Sequence, residues 1–162
     1  MIYTYEPGPM DVTLTQAWSE MMQDGSLKHL FYTPPTLSEF LAYVQPPRLV
    51  SFDIDEHHHA WFVAWTEAFF DSGMFSVWIR KDHRGFGEGS LHGREAFYAA
   101  ACAAFTRFGN RLYGYTNQEH LFPMYQHLGY EIHCKLDNIW SGKDCWLMSL
   151  TKDALLRSRG AA

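Results

Sequence analysis

The chain has 162 residues with 47% apolar and 17% aromatic side chains, enough for one domain with a sizeable core and too many for a disordered segment. Thirteen basic against eighteen acidic side chains give a net charge of −5, and no Lys/Arg block occurs, which argues against a nucleic-acid footprint. No run reaches the ~18 apolar residues of a membrane span.

The first residues, MIYTYEPGPMDV, lack the basic start and apolar stretch of a signal peptide. Cys102, Cys134 and Cys145 form no CxxC pair and leave one unmatched, as expected of reduced thiols in a cytoplasmic protein.

Ile2 to Glu6 alternates and reads as a short first strand ending at Pro7-Gly8-Pro9. Asp11 or Thr13 is placed to cap a helix carrying Leu14, Ala17, Trp18, Met21 and Met22, which stops at Asp24-Gly25. Thr36-Leu37-Ser38-Glu39 is a capping-box pattern, and Leu37, Phe40, Leu41 and Val44 follow at helical spacing before Pro46-Pro47. Leu49 to Asp53, His59 to about Phe69 and Met74 to Arg80 read as strands with connections short enough for an antiparallel meander. A long helix is expected from about Ser90 to Phe108, with Gly109-Asn110 as a left-handed stop. Leu112 to Thr116 is a further strand, and a helix ends at Leu128-Gly129. Tyr130 to Lys135 and Cys145 to Leu150 form a closing antiparallel pair. The order βααβββαβαββ describes one mixed α/β domain over residues 1–152, with 153–162 as a loosely held tail.

Between the meander and the long helix lies KDHRGFGEGSLHGREAF, with Gly85, Gly87 and Gly89 at alternating positions. Glycine costs chain entropy, so this spacing points to a ligand approaching bare backbone. A nucleotide P-loop needs Lys-Ser/Thr after its last glycine, but Ser90-Leu91 stands there. A dinucleotide fingerprint needs G-x-G-x-x-G in a parallel unit, and this spacing differs. Arg84-Gly85-Phe86-Gly87-Glu88-Gly89 does fit R/Q-x-x-G-x-G/A. A second motif follows downstream: Asn117 comes after the strand RLYGYT, and Tyr125 to Tyr130 reads Y-x-x-L-G-Y.

With these two motifs the sequence resembles the GNAT N-acetyltransferase superfamily, over roughly Leu49 to Leu150 and at motif grade between Ile79 and Tyr130. The resemblance implies a single GNAT-like domain with a mixed, mostly antiparallel twisted sheet flanked by helices. It implies that acetyl-CoA is the acetyl donor, with its pyrophosphate on the amides of Arg84, Gly85, Phe86, Gly87, Glu88, Gly89 and Ser90. Backbone amides opening a helix and the helix dipole suit such an anion on physical grounds alone. Arg84, and Arg94 one turn further on, would add positive charge. Two departures from the family pattern stand out: the Asn117-to-Tyr125 spacing is one residue longer, and His120 stands where a small alanine is common; Pro123 also falls inside the expected helix, kinking it or marking a late start.

The resemblance also implies roles in acetyl transfer. A backbone amide near Val77 to Ile79 would polarise the thioester, Asn117 would help hold the cofactor, and Tyr125 would protonate the leaving thiolate. The strand Met74 to Ile79 has no carboxylate to act as base. Glu67 on the preceding strand is the substitute, with Asp71 in the turn and water relay as the other options. Glu67 also reads as an ordinary strand carboxylate and Tyr125 as a core tyrosine.

His57-His58-His59 cannot all grip one ion from extended backbone and reads as a solvated loop, so no metal is assigned. Trp18, Met21, Met22, Phe31 and Tyr32 line an acceptor pocket or fill the core. The leading expectation is transfer of acetyl from acetyl-CoA to a primary amine of a small molecule or peptide, with no nucleic-acid or membrane partner and with homodimerisation left open. The alternative is a catalytically silent GNAT-like binding or structural protein, of the kind phages encode for their virions.

Overall fold

The computed structural model describes residues 2–4, 8, 10–84, 88–140 and 142–160. One seven-stranded sheet carries the fold, in the order β1-β2-β3-β4-β5-β7-β6. Its strands are β1 (Ile2–Thr4), β2 (Leu49–Ile54), β3 (Ala60–Phe69), β4 (Ser72–Ile79), β5 (Arg111–Thr116), β6 (Glu131–Trp140) and β7 (Lys143–Thr151). The helices are α1 (Asp11–Gln23), α2 (Leu27–Leu30), α3 (Leu37–Tyr43), α4 (Glu88–Phe108), α5 (Phe122–His127) and α6 (Lys152–Gly160). The chain condenses into two compact units, Met1–Glu67 with Ser76–Ala101, and Ala68–Phe75 with Cys102–Ala162.

In the first unit, β2 pairs antiparallel with both β1 and β3, with a bulge at Asp53/Ile54. Leu14, Ala17 and Met21 from α1 meet Phe40 and Val44 from the α3 segment over Val50, Phe52, Val63 and Trp65. Phe31 stacks on Trp65 with ring centroids 5.6 Å apart, and Phe40 meets the same indole edge-on. Met21, Phe31 and Trp18 therefore serve the core, and Trp18 also donates its Nε1–H to the Pro35 carbonyl at 3.0 Å. Met22 and Tyr32 are exposed.

The capping box at Thr36 forms as the sequence predicts. Glu39 N–H donates to Thr36 Oγ1, and Thr36 N–H donates to Glu39 Oε2 at 2.8 Å. The cap expected at Asp11 or Thr13 does not form. Helix α1 already begins at Asp11, Met10 is its N-cap residue, and no side chain caps it. Asp11 instead lies in the first turn, where its charge suits the helix dipole.

In the second unit, β4 pairs parallel with β5 over Gly73↔Leu112 and Met74↔Tyr113. β7 then runs antiparallel between β5 and β6. Gly109 adopts φ 95° and ends α4 in the left-handed conformation its sequence predicts. Cys145 on β7 is 1% exposed, Cys134 on β6 is exposed, and Cys102 on α4 lies between.

The tail expected to be loose from residue 153 is helix α6 instead. Leu155 is 1% exposed, and Thr151 Oγ1 accepts from Ala154 N–H at the helix start. Its polar residues Lys152, Asp153, Arg157, Ser158 and Arg159 suggest a solvated tail, whereas buried Leu155 and the Thr151 cap hold a helix. Among the described residues, no helix is long and apolar enough to cross a membrane.

Candidate functional site

After Ile79, Lys81–His83 form one 3₁₀ turn and Arg84 is extended. Gly85, Phe86 and Gly87 lie outside the described residues. Glu88, Gly89 and Ser90 form the first turn of α4, slightly earlier than the sequence predicts. Gly93, one turn further, brings α4 close to β4: a Cβ there would sit 3.6 Å from Ile79 Cδ1.

Arg84, expected to face an anion, is committed to the end of α1. Its Nε–H donates to the Ile79 carbonyl at 2.6 Å, and its Nη2 donates to Asp24 Oδ2 at 2.6 Å and Ser26 Oγ at 3.1 Å. Asp24 also accepts from Ser26 N–H and from Trp78 Nε1–H. Burial opposes the charge on Asp24, but the Ser26 bonds, Arg84 and Trp78 together hold its carboxyl below the usual range. In the sequence Asp24-Gly25 marks a helix stop, and the one signal of a further role for Asp24 is its charge, opposite to that of Arg84.

Beside it stands a second ionic cluster on Arg80. Its guanidinium meets Asp55 Oδ2 and Asp82 Oδ1 at 2.7 Å each and Glu20 Oε2 at 3.8 Å. Its Nη2 also lies 2.8 Å from His83 Nε2, which must accept because guanidinium only donates. The His83 ring stacks on Trp61. Burial opposes the charge on Asp55, yet hydrogen bonds from the His59 amide, Arg80 and the His57 amide draw its carboxyl down to about 2. Glu20 shifts the other way, because burial outweighs the pull of Arg80. Glu20, Gln23, Asp24, His59, Trp78, Arg80, Lys81 and Asp82 line an open groove of about 830 Å³.

His57 and His58 are exposed on the predicted turn, with His58 at φ 62°. Among the described residues, no group of His, Cys, Asp and Glu is arranged to hold a metal.

Glu67, the carboxylate singled out as base, has both oxygens engaged. Tyr43 donates its hydroxyl to Oε1 at 2.7 Å, and Arg48 donates Nε–H to Oε2 at 2.9 Å. The Arg48 guanidinium lies over the Tyr43 ring at 3.9 Å. Burial and the bond to Glu67 push the Tyr43 phenol up to about 12. This cluster ties the end of α3 to β3. Val77 and Ile79 lie on β4 beyond its two parallel ladder pairs with β5.

Tyr125 belongs to the second unit. Thr116 ends β5, its Oγ1 accepts from Gln118 N–H, and Asn117 follows half-buried. A 3₁₀ turn at Glu119–Leu121 leads into α5, with Pro123 in the first turn. Proline is tolerated there because its missing amide would have no helical partner, so the motif helix starts late rather than kinking.

Phe122 packs edge-on against Trp146, and Tyr125 against Tyr130 with centroids 5.7 Å apart. Burial raises the Tyr125 pKa, and a hydrogen bond from Thr116 partly offsets this. Thr116 was not singled out from sequence, since a threonine ending a strand carries no motif.

No protein-family model matches the chain, and no curated protein matches it in sequence. Solved structures do match in fold. A ribosomal-protein-alanine N-acetyltransferase from Brucella melitensis superposes with a TM-score of 0.69 at 15% identity, covering 92% of this chain and 99% of its own. A spermidine N-acetyltransferase from Vibrio cholerae gives 0.70 at 14%, covering 98% and 99%. A phosphinothricin acetyltransferase of the GNAT superfamily from Sinorhizobium meliloti, in complex with AcCoA, gives 0.68 at 13%, covering 93% and 88%. With its seven-stranded, mostly antiparallel sheet flanked by helices, this chain has the fold of the GNAT N-acetyltransferases.

Proposed function

We propose that the protein is an N-acetyltransferase that moves the acetyl group of acetyl-CoA to a primary amine of a small molecule or peptide. The observation that carries this reading is the strand–RGFGEG–helix connection from β4 to α4 in a chain of GNAT fold. Amides from Arg84 to Ser90 would hold the pyrophosphate at the start of a 21-residue helix. The Arg84 side chain anchors the first residue of that connection through Asp24, so its contribution is to hold the backbone in place rather than to touch phosphate. Asn117, directly after β5, completes the cofactor side in this reading.

Chemistry follows from three needs. The thioester oxygen gains charge as the amine attacks and takes a hydrogen bond from a β4 amide near Val77 or Ile79. The C–S bond then breaks and the sulfur takes a proton, which Tyr125 supplies. Its half-buried phenol, whose pKa desolvation raises, keeps its hydrogen at neutral pH. The amine must first lose a proton. Glu67 takes it through water, using lone pairs beyond those that accept from Tyr43 and Arg48. Neighbours of the same fold that are named for spermidine and phosphinothricin support a small amine as acceptor.

Calorimetric titration with acetyl-CoA, followed by free-thiol release across an amine panel, tests the reading. Gly87→Val should abolish cofactor binding, since a branched side chain would stand where a phosphate must approach backbone. Tyr125→Phe should lower turnover by about a hundredfold or more with little change in cofactor affinity. Loss of the acidic limb of the pH–rate profile in Glu67→Gln identifies the base, and an unchanged limb assigns it to solvent. Absence of cofactor binding at millimolar concentration overturns the proposal.

A further inference from the structure

Helix α5 is six residues long, too short to persist by its own hydrogen bonds, so something else must hold Tyr125 in place. The front of α5 has Phe122 on Trp146, and Tyr125 bonds Thr116. Its rear end turns at Leu128-Gly129, where Gly129 takes φ 94°. A Cβ at Gly129 would lie 2.9 Å from the Ala154 carbonyl oxygen and 3.0 Å from its carbon, both rigid backbone of α6. Ser158 Oγ reaches the Leu128 carbonyl at 3.2 Å while also bonding Leu155 O within its own helix. Tyr130 N–H then donates back to the Tyr125 carbonyl at 3.0 Å, and the two rings meet edge-on. Helix α6 is itself fixed by buried Leu155 and by Lys152 N–H donating to the Asn110 carbonyl.

We propose that α6 is a positioning element for Tyr125: it clamps the Leu128-Gly129 turn and through it sets the rear of the short helix that carries the phenol. The inference rests on the reading of Tyr125 as the proton donor to the leaving thiolate. Helix α6 touches neither sulfur nor amine in this proposal. It acts through Gly129, whose lack of a side chain is what allows the two backbones to meet. The glycine of the Y-x-x-L-G-Y motif thus has a steric requirement imposed from outside the motif.

The test uses the full chain with ring-¹³C-labelled tyrosine, titrated by NMR, with the Tyr125 signal assigned by its absence in Tyr125→Phe. In the parent protein that signal should remain neutral beyond the pH at which solvated tyrosines ionise, about 10. In Gly129→Ala its titration should move down toward that value as the clamp loosens. Ser158→Ala should move it less in the same direction, and Ser158→Thr should restore it.

In the acetyl-transfer assay, Gly129→Ala should lower kcat by about tenfold to a hundredfold while KM for acetyl-CoA holds within about twofold. Added to Tyr125→Phe, it should cost little more, since both act on one group. A folded Gly129→Ala protein with an unchanged Tyr125 titration overturns the proposal. Should Gly129→Ala fail to fold, the Ser158→Ala and Ser158→Thr pair decides on the same signal. If the chain binds no acetyl-CoA, the enzymatic reading falls, while the NMR titration still decides whether α6 positions the phenol.

Discussion

Among single residues, Asp24 joins more of the candidate site than any motif residue does. It accepts from Ser26 N–H, Trp78 Nε1 and Arg84 at once, linking the end of α1 to β4 and to the approach to the glycine connection. Removing it leaves one charged and two neutral donors unanswered. Asp24→Ala should therefore destabilise the fold by on the order of 3 kcal/mol, read as a lower denaturant midpoint. It should also weaken acetyl-CoA binding, which calorimetry checks directly. The sequence showed Arg84 and showed Asp24, but sixty residues separate them, and only folding brings the two charges together. For the same reason the sequence reads Glu67 as a substitute base or an ordinary strand carboxylate, with no sign of its partners. Its partners, Tyr43 at the end of α3 and Arg48 just before β2, lie outside its strand and carry no pattern.

At the scale of elements, what was legible is what local chemistry decides. Thr36-Leu37-Ser38-Glu39 encodes its own cap, and α3 starts where the pattern says. Because Thr36 and Glu39 act on amides of their own helix, Thr36→Ala should cost about 1 kcal/mol in a denaturation experiment and leave coenzyme binding unchanged. Gly109, which ends α4 in the left-handed conformation, was legible for the same reason. Helix α6 was not, since its hold comes from Leu155 burial and from the approach to Gly129, both tertiary. Pro123 lay between: its rule allowed a kink or a late start, and packing of Phe122 on Trp146 accompanies the late start.

For the molecule as a whole, the carboxylates set the response to acid. Asp55, Asp24 and Asp82 all have depressed pKa values, Asp55 falling from 3.8 to about 2. A depressed folded pKa means the unfolded chain takes up protons first, so their contribution is present above the unfolded value of about 4 and is lost as pH falls through each folded value, which for Asp55 is about 2. Glu20 has the opposite sign. Its raised pKa favours the folded state below the unfolded value and gives that contribution up as pH rises through the folded one. Glu39 and Asp144 are depressed as well, so with five carboxylates against one, thermal midpoints should be level from pH 7 to about 5 and fall steeply below 4. Asp55→Asn should flatten that fall, at the cost of a lower midpoint at pH 7, because one anionic partner of Arg80 is gone. Net charge, element order and the glycine motif were all readable at this scale, which is why the fold could be foreseen while the groups that hold the site could not.

The three thiols occupy graded depths, and that gradation makes the protein its own opening gauge. A maleimide added to the native chain should modify exposed Cys134 at once, whereas Cys145 can react only when β7 parts from its neighbours. The last of the three mass shifts, after exposed Cys134 and half-buried Cys102 have reacted, therefore clocks local opening around β7 without any introduced label, and the same clock can be run on every variant named above.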